Sequence, residues 1–396
     1  MQLLSGMAYL EAEIVCKLDK TFEKKTWQER IQTFHSGLLY NDTIYKDASD
    51  PIGLRAATNA YIDTLEGTPS GYMISLDATA SGLQLLSLLV SCQQSWNLCG
   101  GNHSQCVDAY TYLYKAMNLG DKLVRADVKK AIMTALYGSQ SIPTKVFGEH
   151  IDIFYETMET HIPGAWELNV DLQDLWNLVK GNTYSWTMPD NFHCHMETED
   201  VEYFDFNFLG QDYTIKKKAS KRPYYHKGLA PNLIHSIDGY IVREMARRCN
   251  FNKEHLIRLM DCLDSKKTGS DRHKDQMVIT LWNLYRETNI LSSRILDYLD
   301  EYNMGLVNSM NIAHMLISNP DEPFPIVCIH DNFKCHPNNG NDVRKQYNMI
   351  LAEINDSVLL NHMARQVSGD SSTRITIRNT NRIKQDNILN SNYSLC

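Results

Sequence analysis

The sequence has no apolar run close to the ~20 residues a membrane-crossing helix needs, and its opening, MQLLSGMAYLEAEIV, carries Glu11 and Glu13 with no basic leader. These absences argue against a membrane span and a secretory signal and lead us to expect a cytoplasmic chain. Internal repeats and low-complexity tracts are also missing, which argues against a solenoid or a disordered linker. Cations are in deficit: 39 Lys and Arg stand against 47 Asp and Glu, a formal charge of -8. Bulk electrostatics would repel nucleic acid, so any phosphate-binding function must come from local basic clusters. The ten cysteines include no CxxC pair. Cys92, Cys99 and Cys106 recur every seven residues with His103 between them, and Cys328 and Cys335 flank a short segment. This pattern fits buried reduced thiols better than zinc ligands, which usually pair at two-to-four-residue spacing.

What is present describes a soluble globular chain: 396 residues, 43% hydrophobic and 22% charged, enough for two or three domains. The opening stretch to about residue 41 is helical in pattern, and residues 54–66 form an amphipathic helix closed by Gly67 and Pro69. YMISL then reads as a short buried strand ending in Asp77, followed by a buried helix, SGLQLLSLLVSC. Two more helices are expected over 106–118 and 121–136. Residues 150–228 look mixed, with a basic turn at 216–223. A helix starting near Pro231 carries Arg243, Arg247 and Arg248, and 251–318 reads as almost uninterrupted helix. PIVCIH is a second short buried strand, and it too leads into an aspartate, Asp331.

Two strands that each deliver a carboxylate would, side by side, bring Asp77 and Asp331 within reach of shared divalent cations, as two-metal phosphoryl-transfer sites require. Strand-end aspartates also serve as ordinary capping residues. Between them, Arg125, Lys129, Met133 and Tyr137 are spaced four apart. On a helix they form one slowly turning stripe about 18 Å long. Two cations, an apolar side chain and an aromatic hydroxyl could grip a triphosphate at one end and a base and sugar at the other. A solvated basic face is the plainer alternative.

These residues match a known pattern. LDATASGLQ (76–84) resembles the first catalytic motif of the phage-type and mitochondrial single-subunit RNA polymerases, and RADVKKAIMTALYGS (125–139) is similar to their second, Arg-x3-Lys-x3-Met-x3-Tyr-Gly-Ser. APNLIHSIDG (230–239) resembles the segment closing the fingers, and IVCIHDNF (326–333) the third motif. The tail DNILNSNYSLC looks like the family's C-terminal foot. Related DNA polymerases typically place a glutamate five residues after the first aspartate, where it crowds a ribose 2′-hydroxyl. Here that position is Gly82. Asn332 after the His-Asp pair and Met133 in the second motif also favour ribonucleotides.

The resemblance implies an α+β fold of right-hand polymerase type, a helical palm and fingers with a small antiparallel palm sheet. It implies N-terminal helices and half the palm over 1–105, fingers over 106–240, a helical insertion over 241–320, and the second half of the palm with the foot over 321–396. Asp77 and Asp331 would hold two magnesium ions, with the Ala78 carbonyl completing one shell. Arg125 and Lys129 would bind the incoming ribonucleoside triphosphate, Lys129 also serving as acid for the leaving pyrophosphate. Tyr137 and His235 would test the sugar, with Gly82 leaving room for it. His330 would sit near the primer terminus, and Gly138 and Ser139 would meet the DNA template.

There are also departures from the family pattern. Ala-Thr-Ala follows Asp77 where a Gly-Ser-Cys type of turn is expected, Leu85 replaces a common histidine, and the stretch between His235 and His330 is longer than in the compact phage enzymes. Only 76 residues precede Asp77, so a thumb and N-terminal domain are expected on a second polypeptide, forming a heterodimer. The larger subunit of the two-subunit RNA polymerases of enquatrovirus-type phages is the closest resemblance. A recruiting or single-stranded-DNA-binding factor, DNA template, RNA product and the cytoplasm of an infected bacterial host follow as expectations. The alternatives are a catalytically silent polymerase-like subunit, a DNA polymerase of the related family and an HD-type phosphohydrolase. Intact Asp77, Asp331, Arg125 and Lys129 count against the first, Gly82 against the second, and the strand setting of His330-Asp331 against the third.

Overall fold

The computed structural model describes the chain except residues 38–44, 102–103, 121–122, 220–221, 224–225, 227, 270–271 and 379–380. His103 and the start of the helix expected from 121 lie outside the described residues. The fold is α+β and predominantly helical, with small antiparallel sheets.

Its central sheet has three strands in the order β1 (Ile74–Asp77), β7 (Asn332–Cys335), β6 (Val327–Ile329). Ile74 and Leu76 of β1, and Phe333 and Cys335 of β7, alternate into the core and leave Ser75, Asp77, Asn332 and Lys334 on the opposite face. The register pairs Asp77 with Asn332 and Ser75 with Lys334. The C-terminal tail lies along the free edge of β1, with the Asp77 and Cys396 amides each donating to the other's carbonyl, at 3.2 and 3.0 Å. This pairing satisfies an edge that would otherwise be open.

Behind the sheet runs the Ser81–Leu89 helix, in which Leu83, Leu85, Leu86 and Leu88 are buried. It packs against the Pro163–Asp174, Leu229–Cys249 and Gly340–Asn355 helices. Its Gln84 is fully buried, donating to the carbonyls of Cys99 and Ser394 and accepting from the Tyr347 hydroxyl. That satisfied polar knot ties this helix to the tail.

Several elements differ from expectation. The 326–331 strand is not a buried neighbour of β1. β6 is the outer strand, with Val327 and Ile329 exposed, and β7, which the pattern did not announce, separates it from β1. The 251–318 region is not continuous helix. It comprises Lys253–Asp261, Arg272–Thr288 and Ser309–Ser318 with two 3-10 turns, and Asn289 at φ +61 breaks the middle helix. The mixed region resolves into two helices, Ile151–His161 and Pro163–Asp174, then two hairpins: β2 (Thr183–Thr187) with β3 (His193–Glu197), and β4 (Asp200–Phe208) with β5 (Gln211–Ala219). The Leu229–Cys249 helix passes through position 240 without a break.

The helices between residues 253 and 318 own a separate apolar cluster that includes Leu259, Val278, Leu281, Leu299 and Ile312. Buried charge fastens them to the main body. Glu244 accepts from the Ser293 amide at 3.0 Å and pairs with Arg247 and Arg248, while Arg248 grips Glu353 through two nitrogens at 2.9 and 2.6 Å. Asp190, fully buried, receives Arg243 and Arg247, which hold its carboxyl below the ordinary range although burial pushes the other way.

Candidate active site

β1 ends on Asp77, and the two-residue turn His330-Asp331 joins β6 to β7, with Ile329 paired to Asn332 across it. His330 adopts φ +55 to make that turn, a left-handed conformation that side chains other than glycine seldom take. Asp331 therefore belongs to a hairpin turn rather than to the end of a strand beside β1. It still arrives at Asp77: the Ala78 amide donates to the Asp331 carbonyl at 3.1 Å. The Asn332 side chain reaches the Asp77 carboxylate at 3.5 Å, across 255 residues of sequence.

Burial first, and the Asp331 charge second, push the Asp77 carboxyl up to about 6. Its side chain still meets solvent on the open face of the sheet, so the site is a crowded acidic rim rather than a sealed cavity. The field of Asp331 also reaches Tyr110, Tyr137, Asp238 and Tyr347. Two adjacent carboxylates in mutual repulsion form a hard-oxygen donor set that suits magnesium, which binds through one or two carboxylates and keeps water and phosphate in its other positions. Among the described residues no group of three or more His, Cys, Asp or Glu side chains forms a metal cluster, so an ion here would depend on substrate and water to fill its shell.

Tyr137 caps the Arg125–Leu136 helix at its C-terminus and stacks on His235, ring centroids 4.9 Å apart at 16°. Burial, followed by the charges of Asp238, Tyr110 and Asp331, raises its phenol above the usual range, so at neutral pH it is a hydroxyl able to donate. A Cβ added to Gly82 would lie 2.9 Å from that hydroxyl. His235 is fixed through Nδ1, 3.5 Å from Asp238, and this hydrogen bond raises the imidazole above its ordinary value against the opposing effect of burial. Burial raises the Asp238 carboxyl, an effect His235 partly offsets. Gly138, at φ +80, turns the chain out of the helix, and the Ser139 amide closes that turn on the Thr134 carbonyl at 2.9 Å.

The basic stripe stands on the open face, with Arg125, Lys129 and Met133 exposed and Val128, Ala131 and Ile132 buried behind it. Its two cations have protein partners. The Lys129 ammonium lies over the Tyr110 ring, 5.3 Å from the centroid. Arg125 is ion-paired to Asp108, and its Nε donates to the Thr111 hydroxyl at 2.8 Å. Thus Asp77, Ala78, Gly82, Tyr137, His235 and Asp331 converge, while Arg125 stands at the opposite end of its helix from Tyr137, paired to Asp108.

Sequence reasoning missed Asp238, Asp108 and Tyr110. Asp238 had a signal, since His235 and Asp238 are three apart on one helix and must share a face. Asp108 and Tyr110 had none, because they come from a different helix. Cys92 and Cys99 are buried free thiols, and the Cys106 sulfur faces the Glu23 carbonyl at 3.7 Å.

No protein-family model matches the chain, and no curated protein matches it.

Proposed function

We propose that the chain is the catalytic subunit of a DNA-dependent RNA polymerase that transcribes phage genes in the cytoplasm of an infected bacterial host. It would add ribonucleotides to an RNA 3′ end on a DNA template. The observation that carries the reading is the convergence of Asp77, Asp331, Tyr137 and His235, four residues from four separate motifs, around a glycine whose missing side chain admits the tyrosine hydroxyl.

In this reaction the RNA 3′-oxygen attacks the α-phosphorus, the new P–O bond forms as the α–β bridge breaks, and pyrophosphate departs. Magnesium held by Asp77 and Asp331 would supply charge neutralisation and a more acidic 3′-hydroxyl. The chain's own residues would do the rest. Lys129 would offer its ammonium to the phosphates and a proton to the leaving group. Arg125 would exchange Asp108 for the triphosphate tail, a swap between two anions that keeps the guanidinium paired throughout. Tyr137 would donate to the ribose 2′-hydroxyl, with Asp238 fixing the His235 ring on which Tyr137 rests.

A second polypeptide would supply a thumb and an N-terminal domain. The -8 charge supports this division: much of the phosphate-neutralising surface would lie on the partner.

The test is RNA synthesis on single-stranded or primed DNA template with magnesium and ribonucleotides, with and without the partner chain. Template-directed RNA that disappears with Asp331→Asn is the expected result. Absence of product with the partner present, or full activity of the variant, would sink the reading.

A further inference from the structure

The face of the central sheet that carries Asp77 also carries Ser75, Asn332 and Lys334. Three of these side chains form a hydrogen-bonded row that crosses between strands. The Ser75 hydroxyl donates to Oδ1 of Asn332 at 2.9 Å, and Nδ2 of Asn332 donates to Oδ1 of Asp77 at 3.5 Å.

The direction of the row is set at the aspartate. An ionised carboxylate only accepts, so the asparagine must turn its amide nitrogen to Asp77 and its carbonyl oxygen to Ser75. Ser75 can meet that oxygen only as a donor. A reversed amide would set two acceptors against each other at Asp77. The strand register keeps the three in place: Asn332 lies directly opposite Asp77, and Ser75 stands two residues back on the same face of β1. Asn332 is also the residue after Asp331. It is therefore bonded through the backbone to one acid of the site and through its side chain to the other.

A cross-strand pair that merely steadied the sheet would need only the bond between Ser75 and Asn332. Here the amide goes on to grip a carboxylate on the open face, where an unheld aspartate would move among rotamers. With Oδ1 turned to Asn332, Oδ2 is the oxygen left for a ligand. Magnesium demands near-octahedral geometry with short bonds, whereas calcium accepts a looser shell and often takes both oxygens of one carboxylate. A pinned aspartate suits the first ion and hinders the second.

We propose that Ser75 and Asn332 are positioning residues: Ser75 orients the Asn332 amide, Asn332 pins Oδ1 of Asp77, and Oδ2 is thereby presented to a divalent cation with magnesium preferred over calcium. The proposal rests on the reading of Asp77 as a cation ligand.

The test is manganese binding to the full chain without nucleotide, followed by electron paramagnetic resonance of the free ion, with magnesium and calcium as competitors. Ser75→Ala and Asn332→Ala should each weaken magnesium binding by at least about 10-fold, the size expected when a hydrogen bond supporting a metal ligand is lost. Calcium affinity should change by less than about threefold, because a freed carboxylate can offer it both oxygens. Ser75→Thr, which keeps the hydroxyl, should retain the wild-type preference. Ser75 and Asn332 are only half-buried, so the variants should fold, and circular dichroism with melting curves checks this. A purely structural pair would shift the melting temperature and leave the ratio of magnesium to calcium affinity unchanged. Such an unchanged ratio in the folded variants, loss of the preference in Ser75→Thr, or no cation binding by wild type would overturn the proposal. Template-directed RNA synthesis by a chain whose ion preference Ser75→Ala leaves intact would sink this proposal and keep the polymerase reading. The expected change of preference in a chain that makes no RNA with its partner would do the reverse.

Discussion

The Tyr137 hydroxyl occupies the space in which a side chain at position 82 would begin: a Cβ on Gly82 falls 2.9 Å from it. Real Cβ contacts are not that short, so any side chain at 82 must displace the tyrosine or be displaced by it. Gly82→Ala should push Tyr137 off the His235 ring and lower the ratio of kcat/KM for ribonucleotide over deoxyribonucleotide by about 10-fold, the size of one lost polar contact. Tyr137→Phe should lower it similarly by removing the donor. Discrimination equal to wild type in both variants would take sugar selection away from this pair.

Asp331→Asn should reduce RNA synthesis by at least about 10²-fold, because it removes one of two carboxylates around which developing charge is balanced. The variant keeps the backbone carbonyl that receives the Ala78 amide, so folding should persist. Single-nucleotide extension with matched melting curves checks both halves of the statement.

The raised carboxyl of Asp77 makes stability depend on pH in a defined direction. Its folded value of about 6 exceeds the unfolded value near 3.9, so between them the folded state holds the extra proton and metal-free stability falls as pH rises. At pH 7 in EDTA, Asp77→Asn should therefore be more stable than wild type by about 1 kcal/mol, the full shift being reduced because the side chain meets solvent. Below pH 4 the difference should vanish. Urea denaturation at both pH values measures it, and a difference independent of pH would show that the carboxylate is not strained. Added magnesium should stabilise wild type and leave the variant nearly unchanged.

Glu244→Gln should cost about 3 kcal/mol, the scale for breaking a buried ion pair from one side. Arg247 and Arg248 each lose one of two charge partners, and the Ser292–Ser293 turn loses the carboxylate that anchors the helices between 253 and 318. Chemical denaturation reads the loss. A change under 1 kcal/mol would mean that Glu353 and Asp190 carry the network alone.

Which parts of this site were legible in sequence follows from how locally each is encoded. The Arg125–Tyr137 stripe was readable because helical spacing alone puts those residues on one face, and the structure leaves that face open. The inward alternation of β1 was readable for the same reason. β7 was not: NFKC is too short to show a period, and its central place is set by pairing with strands on both sides. The buried strand expected before Asp331 proved to be an exposed edge, since an apolar run signals strand without saying what will cover it.

The sequence by itself determined the two aspartates, the helix that carries the cations, and the absence of a side chain at position 82, because residue identity and helical period are local properties. Only the tertiary structure decided that Asp331 sits in a hairpin turn beside Asp77, that Asp108 holds Arg125, that Asp238 fixes His235 under Tyr137, and that the tail closes the free edge of β1. Each of these joins segments far apart in the chain or depends on side-chain direction, and their geometry follows from the packing of one shared core rather than from any local pattern.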